Sequence, residues 1–206
     1  MFYSSGMYRG LYHGIFSPPR KRGNDKGFKK ARANRAFVEK YVTLPEDAEI
    51  LDFGSADGTT LLEFKEAYPK WHAYGLEPGS NLASLNQHLL DGFYNTPNDI
   101  PKEQKFDLIM MTHVLEHLFS PIDVLMELAT HLKQDGTLVL EVPDFNQYTG
   151  SLRTIHIAHL YHFTDKTIEK LAKKAGLEVA LITQDRRALD NHGMRVMLKK
   201  AAPKKS

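Results

Sequence analysis

The chain of 206 residues contains no cysteine. This absence excludes disulfide bonds, thiol nucleophiles and thiolate metal ligands. No apolar run approaches the roughly 18 residues that a membrane-spanning helix requires, and the N-terminus lacks the apolar block of a signal peptide. We therefore expect a cytoplasmic protein that makes no contact with a membrane and folds as one domain with a sizeable core.

Charge is distributed unevenly along the chain. The net charge is +2, but residues 1–45 carry +8 and residues 186–206 carry +6, which leaves −12 for the middle. Basic ends could contact nucleic acid or a phosphorylated substrate, or could be solvated arms. We interpret residues 1–45 as a basic arm, residues 46–200 as the main domain and residues 201–206 as a basic tail. Aromatic residues are interleaved with the basic ones in the arm: Tyr3, Tyr8, Tyr12 and Phe16.

From Glu49 onward, short apolar runs alternate with amphipathic stretches, which predicts strands that alternate with helices. Such alternation requires right-handed crossovers and a mostly parallel, doubly wound α/β sheet. No helix separates the last two strands, so we expect them to add an antiparallel edge. The predicted strands are 49–54, 73–77, 106–112, 136–143, 177–183 and 194–198, and the predicted helices are 59–68, 82–90, 122–132 and 164–175.

The first strand ends in a loop with the sequence Asp52-Phe-Gly-Ser-Ala-Asp-Gly58. In sheets of this type, ligands bind beyond the C-terminal ends of the strands. A dinucleotide fingerprint requires glycine at relative positions 0, 2 and 5, and the loop satisfies only the first of these when counted from Gly54. The carboxylates of Asp52 and Asp57 would repel a diphosphate but attract an ammonium or sulfonium group. The loop therefore suits a cationic, nucleoside-like ligand better than NAD.

Glu77 lies at the end of the second predicted strand, just before Pro78. A carboxylate in this position can accept hydrogen bonds from both hydroxyls of an unphosphorylated ribose. The alternative for a lone glutamate at a strand end is a solvated charge. The combination of Glu77 with the preceding loop favours ribose binding.

Three segments of the chain are Ile50-Leu-Asp-Phe-Gly-Ser-Ala-Asp-Gly58, Gly75-Leu-Glu-Pro78 and Phe106-Asp-Leu-Ile-Met-Met-Thr-His-Val-Leu-Glu-His117. In this order they resemble motifs of the class I S-adenosylmethionine-dependent methyltransferases, and in particular the ubiquinone-biosynthesis-like and sugar methyltransferase branch. The resemblance covers residues 49–199 and implies a seven-stranded, Rossmann-like methyltransferase fold with an antiparallel last strand. It also implies S-adenosylmethionine as cofactor. The sequence departs from the family at Ala56, where glycine is usual; a methyl group is tolerated there if the backbone is not left-handed.

The resemblance also implies which residues bind the cofactor. Glu77, followed by Pro78, would hold the ribose hydroxyls, and His113 would lie near the methionine end and the substrate. The adenine contact falls in the segment 95–99, where Asn95, Asn98 and Asp99 remain open alternatives. The residues expected to line the methionine and ribose part are Asp52, Gly54, Ser55, Ala56 and Gly58.

Two histidine clusters could take part in chemistry. His113 and His117 are spaced i, i+4 and could share a helical face and bind a metal. We expect no metal there, because Glu116 would be the third ligand and would point elsewhere on a helix.

The second cluster follows the strand 136–143 and contains His156, His159 and His162. It resembles a stretch of the sugar methyltransferases in which the histidine matching His159 has been assigned to acid–base work on the acceptor. The chain departs by having His156 where a tyrosine is found and Ala158 where glutamate is common. We predict His159, assisted by His156, as the base; the alternative is that these histidines cap a helix or pack beneath the arm.

These observations favour an enzyme that methylates a small hydroxylated acceptor, such as a saccharide or nucleotide-linked sugar. The segment 144–148 is expected to form part of the acceptor pocket, and the basic arm could close over it as a lid that suits an anionic sugar. One alternative is methylation of RNA or protein docked on the basic arm and tail. Another is a cofactor-binding partner subunit without activity.

Overall fold

The computed structural model describes residues 26–78, 87–147, 158–184 and 193–202. Tyr3, Tyr8, Tyr12 and Phe16 of the predicted arm, together with His156 and Tyr148, lie outside these ranges. The described α-helices are α1 (Lys26–Tyr41), α2 (Thr59–Ala67), α3 (Pro121–His131) and α4 (Asp165–Lys174). The described strands are β1 (Glu49–Phe53), β2 (His72–Leu76), β3 (Gly92–Tyr94), β4 (Phe106–Thr112), β5 (Leu132–Pro143), β6 (Leu177–Thr183) and β7 (Gly193–Lys200).

The seven strands form one mixed sheet in the order β3-β2-β1-β4-β5-β7-β6. β2 is parallel to both β1 and β3, and β4 is parallel to β5. β7 is antiparallel to both of its neighbours, β5 and β6. The predicted doubly wound α/β fold with an antiparallel last strand is confirmed. The antiparallel strand is not the edge itself, because β7 lies between β5 and β6.

Residues up to Pro101 and residues from Lys102 form two units, which are described in turn. In the first unit, α1 packs against α2 and buries Ala31, Phe37 and Val38. Arg35 of α1 also forms an ion pair with Glu63 of α2, at 3.3 Å between Nε and Oε1. This helix falls inside the segment that the sequence analysis assigned to the basic arm. Its apolar positions are few and dispersed among Lys and Arg, so its periodicity is weak.

β3 and the segment before it were predicted least well. β3 has three residues, too few to show an alternating pattern, and no strand was predicted there from the residues. The helix predicted over 82–90 lies largely outside the described residues. Its described part is a single 3-10 turn, Gln87–Leu89.

In the second unit, α3 ends at His131 and β5 begins at once with Leu132. Leu132 is therefore the first residue of the strand, and not the last of the helix as predicted. The pairing of β4 with β5 is irregular between Phe106 and Leu108. A Cβ atom at Gly136 would lie 2.9 Å from the carbonyl oxygen of Phe106. A glycine therefore allows β5 to approach β4 closely where their regular pairing resumes after this irregularity.

The ends of α4 agree with the sequence prediction. The Thr164 hydroxyl accepts a hydrogen bond from the Thr167 N–H at 3.2 Å, and Thr167 Oγ1 accepts one from the Thr164 N–H at 2.8 Å. Gly176 follows the helix with φ 74°, the left-handed conformation expected after a helix C-terminus. In the described part of the chain, no helix is long and apolar enough to cross a bilayer.

Candidate functional site

The loop after β1 is fixed to the end of β2 through its backbone. The N–H groups of Gly54 and Ser55 both donate to the Leu76 carbonyl oxygen, at 2.7 and 3.2 Å. Gly54 has φ 81° and Gly58 has φ 77°, so both use a conformation that glycine adopts without strain. The loop then leads into α2, whose N-cap residue Gly58 has no side chain to cap the N–H groups of the first turn.

Ala56 also has a left-handed backbone, with φ 52°. The expectation that alanine is tolerated here required a backbone that is not left-handed, and this expectation is wrong. The turn requires three nearby positive φ angles, and Cβ crowds the backbone in this region. Ala56 therefore stores strain in the loop that a glycine would not.

We predict that Ala56→Gly increases the free energy of unfolding by about 1 kcal/mol, because relief of the strain outweighs the extra entropy of glycine in the unfolded chain. Urea denaturation monitored by circular dichroism measures the change. Ala48→Gly is a suitable comparison because Ala48 is buried and shows no positive φ. It should be destabilising, and a destabilised Ala56→Gly protein would contradict the strain argument.

The Glu77 carboxylate contacts this loop directly. Its Oε2 accepts a hydrogen bond from the Ala56 N–H at 3.0 Å, and its own N–H donates to the Tyr94 carbonyl oxygen at 3.1 Å. The loop thus holds the Glu77 side chain, and β3 holds its backbone at the end of β2. Pro78, the next residue, is exposed.

The carboxyl group of Asp52 has a strongly raised pKa. It is 5% exposed, and burial raises its pKa to about 7. The nearby charges of Glu77 and Asp57 also raise the pKa, whereas the Lys30 ammonium on α1 lowers it. The charges of Glu77 and Asp57 thus act on the buried Asp52 together with that of Lys30, and this excess of carboxyl groups around Asp52 favours a cationic ligand.

Two further features of the loop fit a bound ligand. Asp57 is fixed by Thr59, whose hydroxyl and N–H both donate to Asp57 Oδ1, at 2.7 and 3.2 Å. Ser55 Oγ is buried and has no hydrogen-bond partner among the described residues. A Cβ atom at Gly75 would lie 2.9 Å from this oxygen, so a side chain at position 75 would displace the Ser55 hydroxyl. The residues of this loop fit a ligand that carries a positive group and hydrogen-bonding groups.

Of the three candidates for the adenine contact, Asp99 has a clear local role. Asp99 Oδ2 accepts hydrogen bonds from the N–H groups of Asn95 and Thr96, at 3.2 and 2.8 Å. It thereby caps the 3-10 turn Pro97–Asp99. Asn95 and Asn98 are exposed.

In the second unit, His113 follows β4 with φ 53°. Its ring lies between two buried carboxylates, with Nδ1 3.3 Å from Glu116 Oε1 and Nε2 3.1 Å from Glu141 Oε1. Glu141 also accepts a hydrogen bond at 3.0 Å from Arg195, which is equally buried. Sequence reasoning missed Glu141 and Arg195. The signal was present, since a single charge within the apolar run of β5 requires a partner.

The expectation that Glu116 points away from the two histidines is wrong. The segment does not form an α-helix: His113 is left-handed and Leu115–His117 is a 3-10 turn. As a result, Glu116 Oε1 lies 3.3 Å from His113 Nδ1 and 3.8 Å from His117 Nε2. The i, i+4 spacing argument does not apply to this backbone.

His159 joins the same cluster. The N–H groups of Leu160 and Tyr161 donate to the Glu116 carbonyl oxygen at 2.9 and 3.2 Å, which fixes the peptide just after His159. The His159 ring meets the His117 ring edge-on, with 4.8 Å between centroids. His159 is partly exposed, although its Nδ1 is buried.

The predicted acceptor segment begins with Asp144, which is fully buried. Its carboxylate accepts hydrogen bonds from the side chains of Gln147 and Gln184, at 3.0 and 2.8 Å. The next residue, Phe145, is 42% exposed, and its ring centroid lies 5.2 Å from that of His162. Asp144 thus organises this segment and leaves an aromatic side chain at the surface.

The fold has many solved relatives with low sequence identity. A methyltransferase from Clostridium acetobutylicum described as S-adenosylmethionine-dependent has 10% identity and a TM-score of 0.64, covering 96% of this chain and 98% of the other. The magnesium protoporphyrin IX methyltransferase of Synechocystis, solved with bound S-adenosylhomocysteine, has 14% identity and a TM-score of 0.64, with coverage of 97% and 96%. The CcbJ methyltransferase of Streptomyces caelestis has 13% identity and a TM-score of 0.66, with coverage of 90% and 94%. At these identities the likeness establishes the fold.

The family assignment comes from the sequence itself. None of the curated proteins matches the chain in sequence. The model of the methyltransferase-domain family matches residues 25–182, which is most of the chain and includes α1. The chain belongs to this family and is an S-adenosylmethionine-dependent methyltransferase.

Proposed function

We propose that this methyltransferase acts on a hydroxyl group of a small acceptor, a saccharide or a nucleotide-linked sugar, with His159 as the base. The observation that carries the proposal is the contact cluster of His159: a partly exposed imidazole held beside the buried Glu116 carboxylate. A carboxylate within 4.8 Å of an imidazole can stabilise its protonated form through its charge. Such a pair suits deprotonation of a hydroxyl.

The donor supplies an electrophilic methyl group on a positively charged sulfur, so the chain has to bind, orient and deprotonate. We assign binding to Asp52, Gly54, Ser55, Ala56 and Gly58, with Glu77 on the ribose hydroxyls. Pro78, Asn95 and His113 complete the proposed set. His156, the predicted assistant of the base, lies outside the described residues.

The segment after β5 supports a sugar as acceptor. Phe145 offers an exposed apolar surface, and Asn146 beside it is also exposed. Small-molecule sites combine aromatic surface with a few polar groups in this way. The basic charge of residues 1–45 adds a preference for an anionic acceptor.

An acceptor screen tests this function. The full chain would be incubated with S-adenosylmethionine carrying an isotopically labelled methyl group and with panels of free sugars, sugar phosphates and nucleotide sugars. The proposal expects a methylated sugar, identified by mass spectrometry as an O-methyl product. Transfer to RNA with a steep loss of affinity as salt is raised would instead support docking on the basic arm. Failure of all sugars together with transfer to RNA or a protein would overturn the sugar assignment.

Glu77→Gln is expected to weaken binding of S-adenosylmethionine about 10-fold or more. Two hydrogen bonds from ribose hydroxyls to a carboxylate contribute about 1.5 kcal/mol or more each, and the amide can accept only one of them. The glutamine retains an oxygen that can accept from the Ala56 N–H, so the fold should be preserved. Isothermal titration calorimetry measures the change.

The matched control for Glu77 is Glu46→Gln, which removes an exposed carboxylate of the same unit that pairs with Lys70. We expect its affinity for S-adenosylmethionine to equal that of the wild type. Equal affinity of the Glu77→Gln protein would contradict the ribose assignment.

A further inference from the structure

The carboxylate of Glu116 is buried next to two imidazole rings. Its side chain is 1% exposed, and Oε1 lies 3.8 Å from His117 Nε2. Oε2 is buried and has no hydrogen-bond partner within the described ranges of the chain. A buried carboxylate oxygen without a partner is costly. The position therefore calls for a positively charged group.

His117 is held in the tautomer that binds metals. Its Nδ1 lies 2.9 Å from the carbonyl oxygen of Ala158. A carbonyl can only accept a hydrogen bond, so Nδ1 must carry the hydrogen. In the neutral ring the lone pair then belongs to Nε2, the atom that faces Glu116. Metal-binding histidines are typically oriented by such a hydrogen bond from the other ring nitrogen.

His159 supplies the third donor. Its position is fixed by the hydrogen bonds from the following residues to the Glu116 carbonyl oxygen. One donor atom from each of Glu116, His117 and His159 lies within 4.8 Å of the other two. Tetrahedral zinc with ligand bonds of about 2.0–2.1 Å places its donors about 3.3 Å apart, so these atoms need to move inward by about 1 Å.

We propose that Glu116, His117 and His159 bind a divalent transition-metal ion, with Zn²⁺ as the ion that fits best. Two imidazoles and one carboxylate are the donor set of open zinc sites, in which a fourth position takes water or a substrate oxygen. Mg²⁺ and Ca²⁺ prefer oxygen ligands and fit this set poorly.

Local charge supports a cation at this place. Glu116 and Glu141 are both buried, and Arg195 forms an ion pair with Glu141. A neutral His113 can donate to only one of the two carboxylates beside it, and in that state Glu116, Glu141 and Arg195 together leave one negative charge that a divalent ion compensates. His113 would support the site without binding the ion.

Metal binding has a consequence for the proposed base. A His159 nitrogen that donates its lone pair to a metal cannot accept a proton. If His159 is the base, saturating Zn²⁺ inhibits methyl transfer and a chelator restores it. The metal site itself does not depend on the acceptor, because binding is measured without turnover.

The test uses the full chain, freed of metal with a chelator and then dialysed. Calorimetric titration with ZnCl₂, and visible absorption after addition of CoCl₂, are measured for wild type, Glu116→Gln, His117→Ala and His159→Ala. We expect one ion per wild-type chain, tetrahedral Co²⁺ absorption, and affinity at least about 10-fold weaker in each variant. His72→Ala is the control, since His72 is an exposed histidine that also lies beside a carboxylate, Asp91. Its affinity should not change.

Circular dichroism shows whether each variant is folded, and Glu116→Gln preserves the side-chain shape if His117→Ala does not fold. Equal zinc affinity in wild type and Glu116→Gln, or no zinc binding to folded wild type, would overturn the site. The two proposals fail separately: loss of turnover in His159→Ala with chelator present tests the base, whatever the zinc titration gives.

Discussion

Replacement of His159 by alanine is expected to lower kcat for methyl transfer to a sugar hydroxyl by about 10²- to 10⁴-fold, the range typical for loss of a general base. A sugar hydroxyl is a weak nucleophile at neutral pH until its proton is removed. Cofactor binding is assigned to other residues, so the KM for S-adenosylmethionine should change little. The effect should therefore appear in kcat.

The pH–rate profile separates a catalytic role of His159 from a structural one. In the wild type, protonation of the base should reduce the rate on the acid side of the profile. The His159→Ala enzyme should lack this acid limb, whereas an enzyme that is merely destabilised would keep it. The measurement is initial rate against pH with the acceptor from the screen and with chelator present.

Two variants control for His159. His72→Ala removes an exposed imidazole from the other unit and should leave kcat unchanged. Glu116→Gln keeps the base but removes the charge beside it, so an intermediate loss of kcat is expected. Full turnover of His159→Ala on every active acceptor would contradict the base assignment.

The sequence predicts the strands that build the sheet because their apolar runs are long and bounded by turn residues. Phe106–Thr112 and Leu177–Thr183 are found with the predicted boundaries. The same is true of the ends of α4, where Thr164 and Gly176 each have a specific physical role. Local chemistry is enough to place these elements.

The parts that could not be predicted depend on backbone angles and distant partners. Nothing local indicates that Ala56 adopts a left-handed conformation, because alanine usually avoids it. The direction of Glu116 follows from the positive φ of His113, which turns the chain after β4. The burial of Glu141 with Arg195 joins residues on two strands, a pairing that periodicity does not specify.

Asp52→Asn is expected to stabilise the protein at pH 8 by about 4 kcal/mol. The folded pKa of Asp52 is about 7 and its ordinary value is 3.8, so folding raises the pKa by about three units, each worth about 1.4 kcal/mol. Below pH 3.8 the carboxyl group is protonated in both the folded and the unfolded state, so its burial does not lower the free energy of unfolding through ionisation. As pH rises toward 7, the folded state alone keeps the proton, so stability is lost across this window.

Denaturation by urea at pH 5 and pH 8 measures the effect. The gain in unfolding free energy from Asp52→Asn should be about 2 kcal/mol at pH 5 and about 4 kcal/mol at pH 8. Asp91→Asn is a control of opposite sign. Burial raises the pKa of Asp91, but the Lys65 ammonium and the Ala73 N–H outweigh it and lower the pKa overall. Asp91→Asn should therefore lose stability at pH 8, and an Asp52→Asn gain that does not vary with pH would contradict the raised pKa.

The same carboxyl group connects pH to cofactor binding. A cationic ligand favours the ionised form of Asp52, so binding of S-adenosylmethionine should release a proton and become tighter as pH rises through 7. S-Adenosylhomocysteine lacks the sulfonium charge and should show a smaller change. In Asp52→Asn the pH dependence should disappear and S-adenosylmethionine should bind more weakly than to the wild type at pH 8. The ionised carboxylate of Asp52 would thus lower the stability of the protein above pH 7 and, in the same state, place a negative charge beside the reacting sulfur.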